Sequence, residues 1–248
     1  MSGHCLDLDR VSPTRRPGGK NAGTQRWTEL LFLHWTFPLD VVRPLVPASL
    51  ELDPWDGEAW VGMVPFRMSN IRSAWMPERA GLDFLETNVR TYVHHKGKPG
   101  VYFLSLEASS WLAVRVARFV WGLPYHFAEM SSAKDEAASD RTRYTSRRKA
   151  SGASVSLEYS VGEALGPSQV GTLEHFLLER YYLFLEKKGQ VFRGHVAHVP
   201  YPAQRATLHG VEDELLVADG LPAPGQVASV HYASAVDVEV FGPDPVTE

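Results

Sequence analysis

The chain is poor in cysteine, in charge of one sign and in long apolar runs. Cys5 is the single cysteine in 248 residues, so neither an internal disulfide nor a cysteine-built metal site can form. A reducing, cytoplasmic setting is the natural reading. Net charge is −4, from 25 Lys and Arg against 29 Asp and Glu; a dedicated nucleic-acid binder carries a strongly basic face, so nucleic acid is not an expected partner. No apolar run approaches the roughly 20 residues of a membrane-spanning helix. The opening "MSGHCLDLDRVSPTRRPGGKNAG" also lacks the continuous apolar stretch of a signal peptide, and no membrane partner is expected. Glycine-rich phosphate loops, nucleophile elbows and paired Cys/His metal spacings are missing as well, so neither a cofactor nor a metal is expected.

What the chain does contain is 17 Pro, 20 Gly, 11 Phe, 9 Tyr and 7 Trp, with 44% hydrophobic and 22% charged residues. That mixture suits a turn-rich β fold with short helices. A single domain of this length buries roughly three quarters of its unfolded surface, so a substantial core is available. Residues 1–24, rich in Arg, Pro and Gly, read as a disordered arm. From residue 25 to 248 no linker and no internal repeat divides the chain, which predicts one domain.

Along that domain, "WTELLFLHWTF" and "EAWVGMVPFRMSNI" read as strands, the second with Pro65 at an edge or bulge. "FPLDVVRPLVPASLEL" opens with a short helix that Pro44 and Pro47 keep from extending. "FLETNVRTYVHHKGKPGVYFLSLEA" is two strands around a turn at Lys96 to Gly100. "SSWLAVRVARFVWGLP" predicts a helix with Ser109 or Ser110 as N-cap, an apolar face of Trp111, Leu112, Val116, Phe119 and Val120, and a stop at Gly122. Arg115 and Arg118 share one flank of it. "TLEHFLLERYYLFLEKKG" predicts a second long helix, 172–187, capped by Thr172 and stopped by Gly189. About ten strands and three helices make an α+β fold, mainly an antiparallel curved sheet or β-barrel.

The strand at 84–96 has the sharpest period. Leu85, Thr87, Val89, Thr91 and Val93 alternate with Glu86, Asn88, Arg90, Tyr92 and His94, giving one apolar or neutral face and one polar face. Either the polar face meets water, or it lines an interior where Glu86 and Arg90 are held for a ligand. The pattern leaves both readings open. Other candidates carry less: in an extended strand His195 and His198, three apart, face opposite ways, as do His94 and His95. "TSRRK" reads as a solvated strand end.

The segments "FPLDVVRPLVPASLEL", "FLETNVRTYV", "ARFVWGLPYHFAEM", "LEHFLLERYYLF" and "HVPYPAQ" together resemble the YqjF-like family, a domain of unknown function (DUF2071), over about residues 26–242. The same segments are similar, more distantly, to acetoacetate decarboxylase, which implies a β-barrel-like fold with a pocket inside. On that resemblance the acid falls on Glu86, the arginine on Arg118 and the proline on Pro124. The adjacent lysine pair that supplies the Schiff-base amine falls on Tyr125 and His126. Neither can form an imine with a ketone, and the seven lysines, Lys20, Lys96, Lys98, Lys134, Lys149, Lys187 and Lys188, all lie elsewhere.

The resemblance implies that Gly122 and Pro124 deliver Tyr125 and His126 to a pocket, with Glu86 opposite and Arg90 or Arg118 available for an anionic group. The plainer alternative is a packed Tyr125 and a satisfied core His126. Three functions stay open: acid/base chemistry by Glu86, Tyr125 and His126 on a small polar or carboxylated molecule; non-catalytic binding of such a ligand; and an interaction protein with a vestigial pocket. The sequence leaves a homo-oligomer open. The missing lysine generates a direct expectation: borohydride reduction in the presence of acetoacetate or pyruvate yields no adduct beyond surface labelling, read by intact-mass spectrometry. A stoichiometric adduct on one buried lysine would restore imine chemistry.

Overall fold

The computed structural model describes residues 7–135 and 140–246; Cys5 lies outside them. The chain runs β1 (Gly23–Phe37), α1 (Leu39–Val42), β2 (Glu51–Leu52), β3 (Ala59–Ser73), β4 (Leu82–His95), β5 (Lys98–Ala108), α2 (Trp111–Val120), β6 (Tyr125–Lys134), β7 (Arg141–Arg148) and β8 (Ser154–Ala164). It continues through α3 (Leu173–Leu178), β9 (Tyr182–Lys187), β10 (Gln190–Ala197), β11 (Ala203–Asp213), α4 (Leu215–Ala218) and β12 (Ser229–Pro245). Twelve strands form one sheet, antiparallel except where β5 pairs with β6 and with β9. No helix among the described residues is long and apolar enough to cross a membrane.

The ladders close on themselves twice. Strands β12, β1, β3, β4, β5, β9 and β10 pair in turn and return to β12. A second circuit leaves β5 through β6, β7, β8 and β11 and also returns to β12. The five strands β12, β1, β3, β4 and β5 are therefore a shared wall with an interior on each side. Because successive strand side chains point to opposite faces, Leu30 and Phe32 enter one apolar cluster whereas Leu31 and Leu33 enter the other.

Local sequence explains the closure. Lys96 and Gly97 both adopt positive φ (48° and 75°), as the tight β4–β5 turn requires. At Gly100 an added Cβ would sit 2.6 Å from the Tyr182 carbonyl oxygen, so the absent side chain lets β5 approach β9. Pro65 falls where the β1–β3 register breaks between Thr28 and Leu33, the bulge position open to a residue with no N–H. A second bulge, opposite Val89 and Arg90, leaves Leu104 unpaired. As a result Phe103 and Leu106 both face the first interior.

Several expectations need correction. The helix expected over 172–187 is only Leu173–Leu178, and Tyr182–Lys187 is strand β9. A strand-forming "YYLFL" that closes the first circuit outweighs its helical spacing. Helix α2 is present, with Ser110 Oγ accepting from the Ala113 amide and Gly122 at φ +67°, but it is rotated from the expected face. Val114 is buried, while Trp111 and Phe119 are 56% and 93% exposed; the Val120 side chain lies outside what is described. Arg115 stacks on Trp111, 4.9 Å from its ring. Helix α4 was not expected at all.

The N-terminal segment 1–24, expected to be disordered, is described from residue 7 onward and carries a buried contact at Arg10. Arg10 donates to both carboxylate oxygens of Asp53 at 2.7 Å, and Arg180 adds a third bond at 2.7 Å. Burial alone would raise the Asp53 carboxyl, but the Arg180 and Arg10 charges outweigh it and hold it below its ordinary value. Asp53 thus fastens the arm to the segment between α3 and β9. Replacing it with the neutral isostere, Asp53→Asn, leaves two guanidinium groups uncompensated and should destabilise the fold by about 3–5 kcal/mol. The measurement is the urea midpoint at constant m-value, and an unchanged midpoint would show that the clamp contributes nothing.

Candidate functional site

The first circuit encloses a chamber of about 430 Å³, within the range of small-molecule sites. Its walls are mostly apolar: Leu30 and Phe32 from β1, Val64 and Phe66 from β3, and Leu106 from β5. Helix α2 lies along one side of its mouth, where Leu112 and Val116 line the chamber and remain half-exposed. Three of the polar groups come from one strand. Glu86, Asn88 and Arg90, two residues apart on β4, all face inward, so the polar face of that strand lines an interior instead of meeting water.

Glu86 is 3% exposed. The Tyr125 hydroxyl donates to its Oε2 at 2.7 Å, and its Oε1 has no hydrogen-bond partner among the described residues. Register explains the meeting: β6 enters parallel to β5 with Leu106 opposite Tyr125, and Glu86 pairs with Ala108 on the other side of β5. Burial raises the Glu86 carboxyl to about 8; the Tyr125 bond opposes that rise and the Glu107 charge adds to it. Burial and the adjacent carboxyl push Tyr125 well above the ordinary phenol value. At neutral pH both groups are therefore predominantly uncharged. Since Tyr125 occupies Oε2 with its own proton, the Glu86 proton is available on Oε1, toward the chamber.

The far end of the chamber is cationic. Arg90 and Arg180 both line it and are 7% and 6% exposed. Their guanidinium groups lie over the Tyr92 ring, 5.9 and 4.8 Å from its centre. The Tyr92 hydroxyl donates to the Leu177 carbonyl at 2.8 Å and lies 2.7 Å from His34 Nε2. Burial, then the Arg90 charge, keeps His34 well below its ordinary value. His34 is thus neutral and donates through Nε2, leaving Nδ1 without a partner.

Of the residues singled out from sequence, Glu86, Tyr125 and Arg90 share this chamber; His126 and Arg118 do not line it. His126 follows Tyr125 in a strand and points the other way. It sits beside a second buried cluster, its pKa lowered first by burial and then by the Arg148 and Arg118 charges. Arg118 donates Nε–H to the Tyr125 backbone carbonyl at 2.5 Å, so it supports the strand carrying Tyr125. None of the seven lysines lines the chamber.

Three features escaped the sequence reading. Arg180 was hidden inside the overextended helix. Ser105 and Glu107, near the C-terminal end of β5, gave no local signal, and Arg148, within the "TSRRK" expected to be solvated, is buried and donates to Glu107 Oε1 at 2.5 Å and to Asp219 Oδ1 at 2.9 Å. Ser105 donates to the other Asp219 oxygen at 2.5 Å. Strict alternation along β7, with Thr142, Tyr144, Ser146 and Arg148 buried in turn, was the signal available for Arg148.

Comparison with known proteins fits this geometry. A family model described as "Uncharacterized conserved protein" (DUF2071) matches residues 24–237. The uncharacterized protein YqjF of Bacillus subtilis (strain 168) is 37% identical over 216 residues, covering 86% of this chain and 88% of its relative. Among solved structures, the enduracididine biosynthesis enzyme MppR complexed with pyruvate superposes with a TM-score of 0.65 at 13% identity, covering 92% of each chain. Acetoacetate decarboxylase from Legionella pneumophila superposes with a TM-score of 0.60 at 15% identity, covering 98% of this chain and 96% of that one. At such identities the likeness is one of fold. The chain belongs to the uncharacterized DUF2071 family, and its curved, ring-closed sheet is of the acetoacetate decarboxylase-like kind.

Proposed function

We propose that this is a cytoplasmic protein whose chamber binds a small carboxylated molecule, and that the neutral Glu86 carboxyl, oriented by Tyr125, acts on it as hydrogen-bond donor and general acid. The observation carrying this reading is the Glu86–Tyr125 pair: a buried carboxyl with one oxygen satisfied and the other directed into an apolar enclosure. A general acid works best when its pKa lies near the operating pH, and about 8 meets that condition. The fold relatives named for acetoacetate decarboxylase and for a pyruvate complex are consistent with small-acid ligands. Their likeness to this chain does not extend to an amine, because Tyr125 stands where the resemblance puts a lysine, and the reading contains no covalent intermediate.

A thermal-shift screen of organic acids, followed by turnover assays on each hit, tests the proposal. Glu86→Gln keeps a donor of the same shape, so binding should persist within about tenfold while turnover falls by about 10²- to 10⁴-fold. Binding with no turnover in the wild type would reduce the function to ligand capture. Failure of every acid to bind would overturn the proposal.

The proton on Glu86 also has a stability signature. Its folded pKa is raised from 4.5 to about 8, so the folded state holds the proton more tightly than the unfolded chain does. That stabilisation is complete below about pH 4.5 and is lost as pH rises toward 8, at up to about 1.4 kcal/mol per pH unit. In chemical denaturation between pH 5 and 8, the wild type should lose stability relative to Glu86→Gln. Parallel profiles for the two proteins would show that Glu86 ionises normally.

A further inference from the structure

The far end of the chamber carries more positive charge than the protein neutralises. Arg180 Nε donates to the Phe176 carbonyl and Nη1 to Asp53, but Nη2 has no partner. Arg90 has no carboxylate partner among the described residues; it contacts the Phe32 and Tyr92 side chains, its Nη2 lies 3.4 Å from the Leu177 carbonyl, and its Nε has no hydrogen-bond partner among those residues. The nearby Asp53 is already shared between Arg10 and Arg180. Glu179, the other buried carboxylate on that side, accepts from the Tyr181 hydroxyl and the Tyr201 amide. A buried cation left this way is costly unless an anion joins it.

The chamber is also polarised along its length. Residues order along β4 from Phe84 near the mouth, through Glu86 and Asn88, to Arg90 at the floor, and their partners on β3 are Met68, Phe66, Val64 and Gly62 in the same order. With a strand rise of about 3.3 Å per residue, the Glu86 and Arg90 Cα atoms lie roughly 13 Å apart. Asn88 lies between them, and Gln25 and Arg72 also line the chamber; the rest of the surface is mostly apolar, from Leu30, Phe32, Val64, Phe66, Phe84 and Leu106. Along the strand the two polar groups are four residues apart, so a ligand that spans the chamber meets Arg90 and Glu86 at different points along its length.

We propose that the ligand is an amphipathic monocarboxylate, its carboxylate seated between Arg90 and Arg180 and its apolar chain running past Glu86 toward the mouth beside α2. This rests on the chamber being the ligand site, as proposed above, and names the class and orientation of its occupant. Arg180, which lines the chamber, is held by Asp53 through Nη1, and its buried Nη2 has no hydrogen-bond partner among the described residues. Arg90, with no counter-ion, supplies the unneutralised charge. Glu86 then faces a position well along the chain, not the carboxylate itself.

The test uses the full-length protein and straight-chain monocarboxylates from two to twelve carbons, with the primary alcohols of the same lengths, measured by calorimetry at pH 6.5. Affinity should rise about three- to fourfold per methylene until the chamber is filled, and each longer acid should bind at least tenfold tighter than its alcohol. In Arg90→Met the acid–alcohol difference should collapse while the gain per methylene persists. The same variant should melt at or above the wild-type temperature, because an uncompensated charge is removed, which checks that it is folded. Equal affinity for acids and alcohols, short acids binding as tightly as long ones, or no binding at any length would overturn the proposal. The Glu86 role is read separately: long acids that bind through Arg90 with the same affinity at pH 6.5 and pH 9 would sink the proton-donor reading and leave this one standing.

Discussion

Most of the site follows from one constraint, that β4 is buried on both faces from Phe84 to His94. A strand with water on one side can place its polar side chains there, but here both sides are interior, so each of these side chains must be satisfied within one enclosure or the other. Period-two alternation does the sorting. Glu86 faces the chamber while Thr87 turns to Tyr144 on β7, bonded at 2.8 Å. Leu106 faces the chamber while Glu107 turns to Arg148, and Tyr125 faces it while His126 turns away. A one-residue slip of β4 would turn Glu86 away from the chamber and Thr87 into it, so register and site are specified together.

The same constraint sets the charges of three buried carboxyls. Asp53, held by two guanidinium groups, lies below its ordinary value. Glu107 is raised by burial to about 7, against the opposing charge of Arg148, which it shares with Asp219. Glu86, whose partner is an uncharged phenol, is raised to about 8. Burial pushes all three upward, and the number of cations in contact decides how far it is resisted. Glu86 stands out because its strand provides Arg90 four residues away, too far to form an ion pair.

Where the sequence was legible, the local signals agreed with the tertiary structure. The β4–β5 hairpin, the Ser110 cap and Gly122 stop of α2, and the alternation of β4 are all decided within a dozen residues, and all stand. The inward turn of Glu86 and Arg90 was one of two readings of that alternation, since a periodic strand does not reveal which face closes over a cavity. The failures share a cause. "LERYYLFLEK" has helical spacing and strand composition at once, and a distant partner, β5, pairs with it as a strand. Helix α2 was read with its largest residues inward, although the wall it covers has room for Ala113, Val114 and Ala117 while Trp111 and Phe119 remain outside. Arg10 and Arg180 meet at Asp53 across 43 and 127 residues, a separation no local pattern carries.

Tyr125 and the neutral state of Glu86 belong together. A lysine in place of Tyr125, as the decarboxylase resemblance would have it, would bring an ammonium to hydrogen-bond distance of the Glu86 carboxyl, and the pair would favour the ionised acid. The enclosure would then hold a lysine whose ammonium the carboxylate stabilises, and imine chemistry with a carbonyl compound would draw on its free amine, which burial or a second cation releases. A phenol at the same place donates a hydrogen bond without adding charge, so desolvation prevails and the carboxyl keeps its proton. One side chain therefore changes the available chemistry from nucleophile with counter-ion to uncharged acid, with the same strands, the same register and the same surrounding walls.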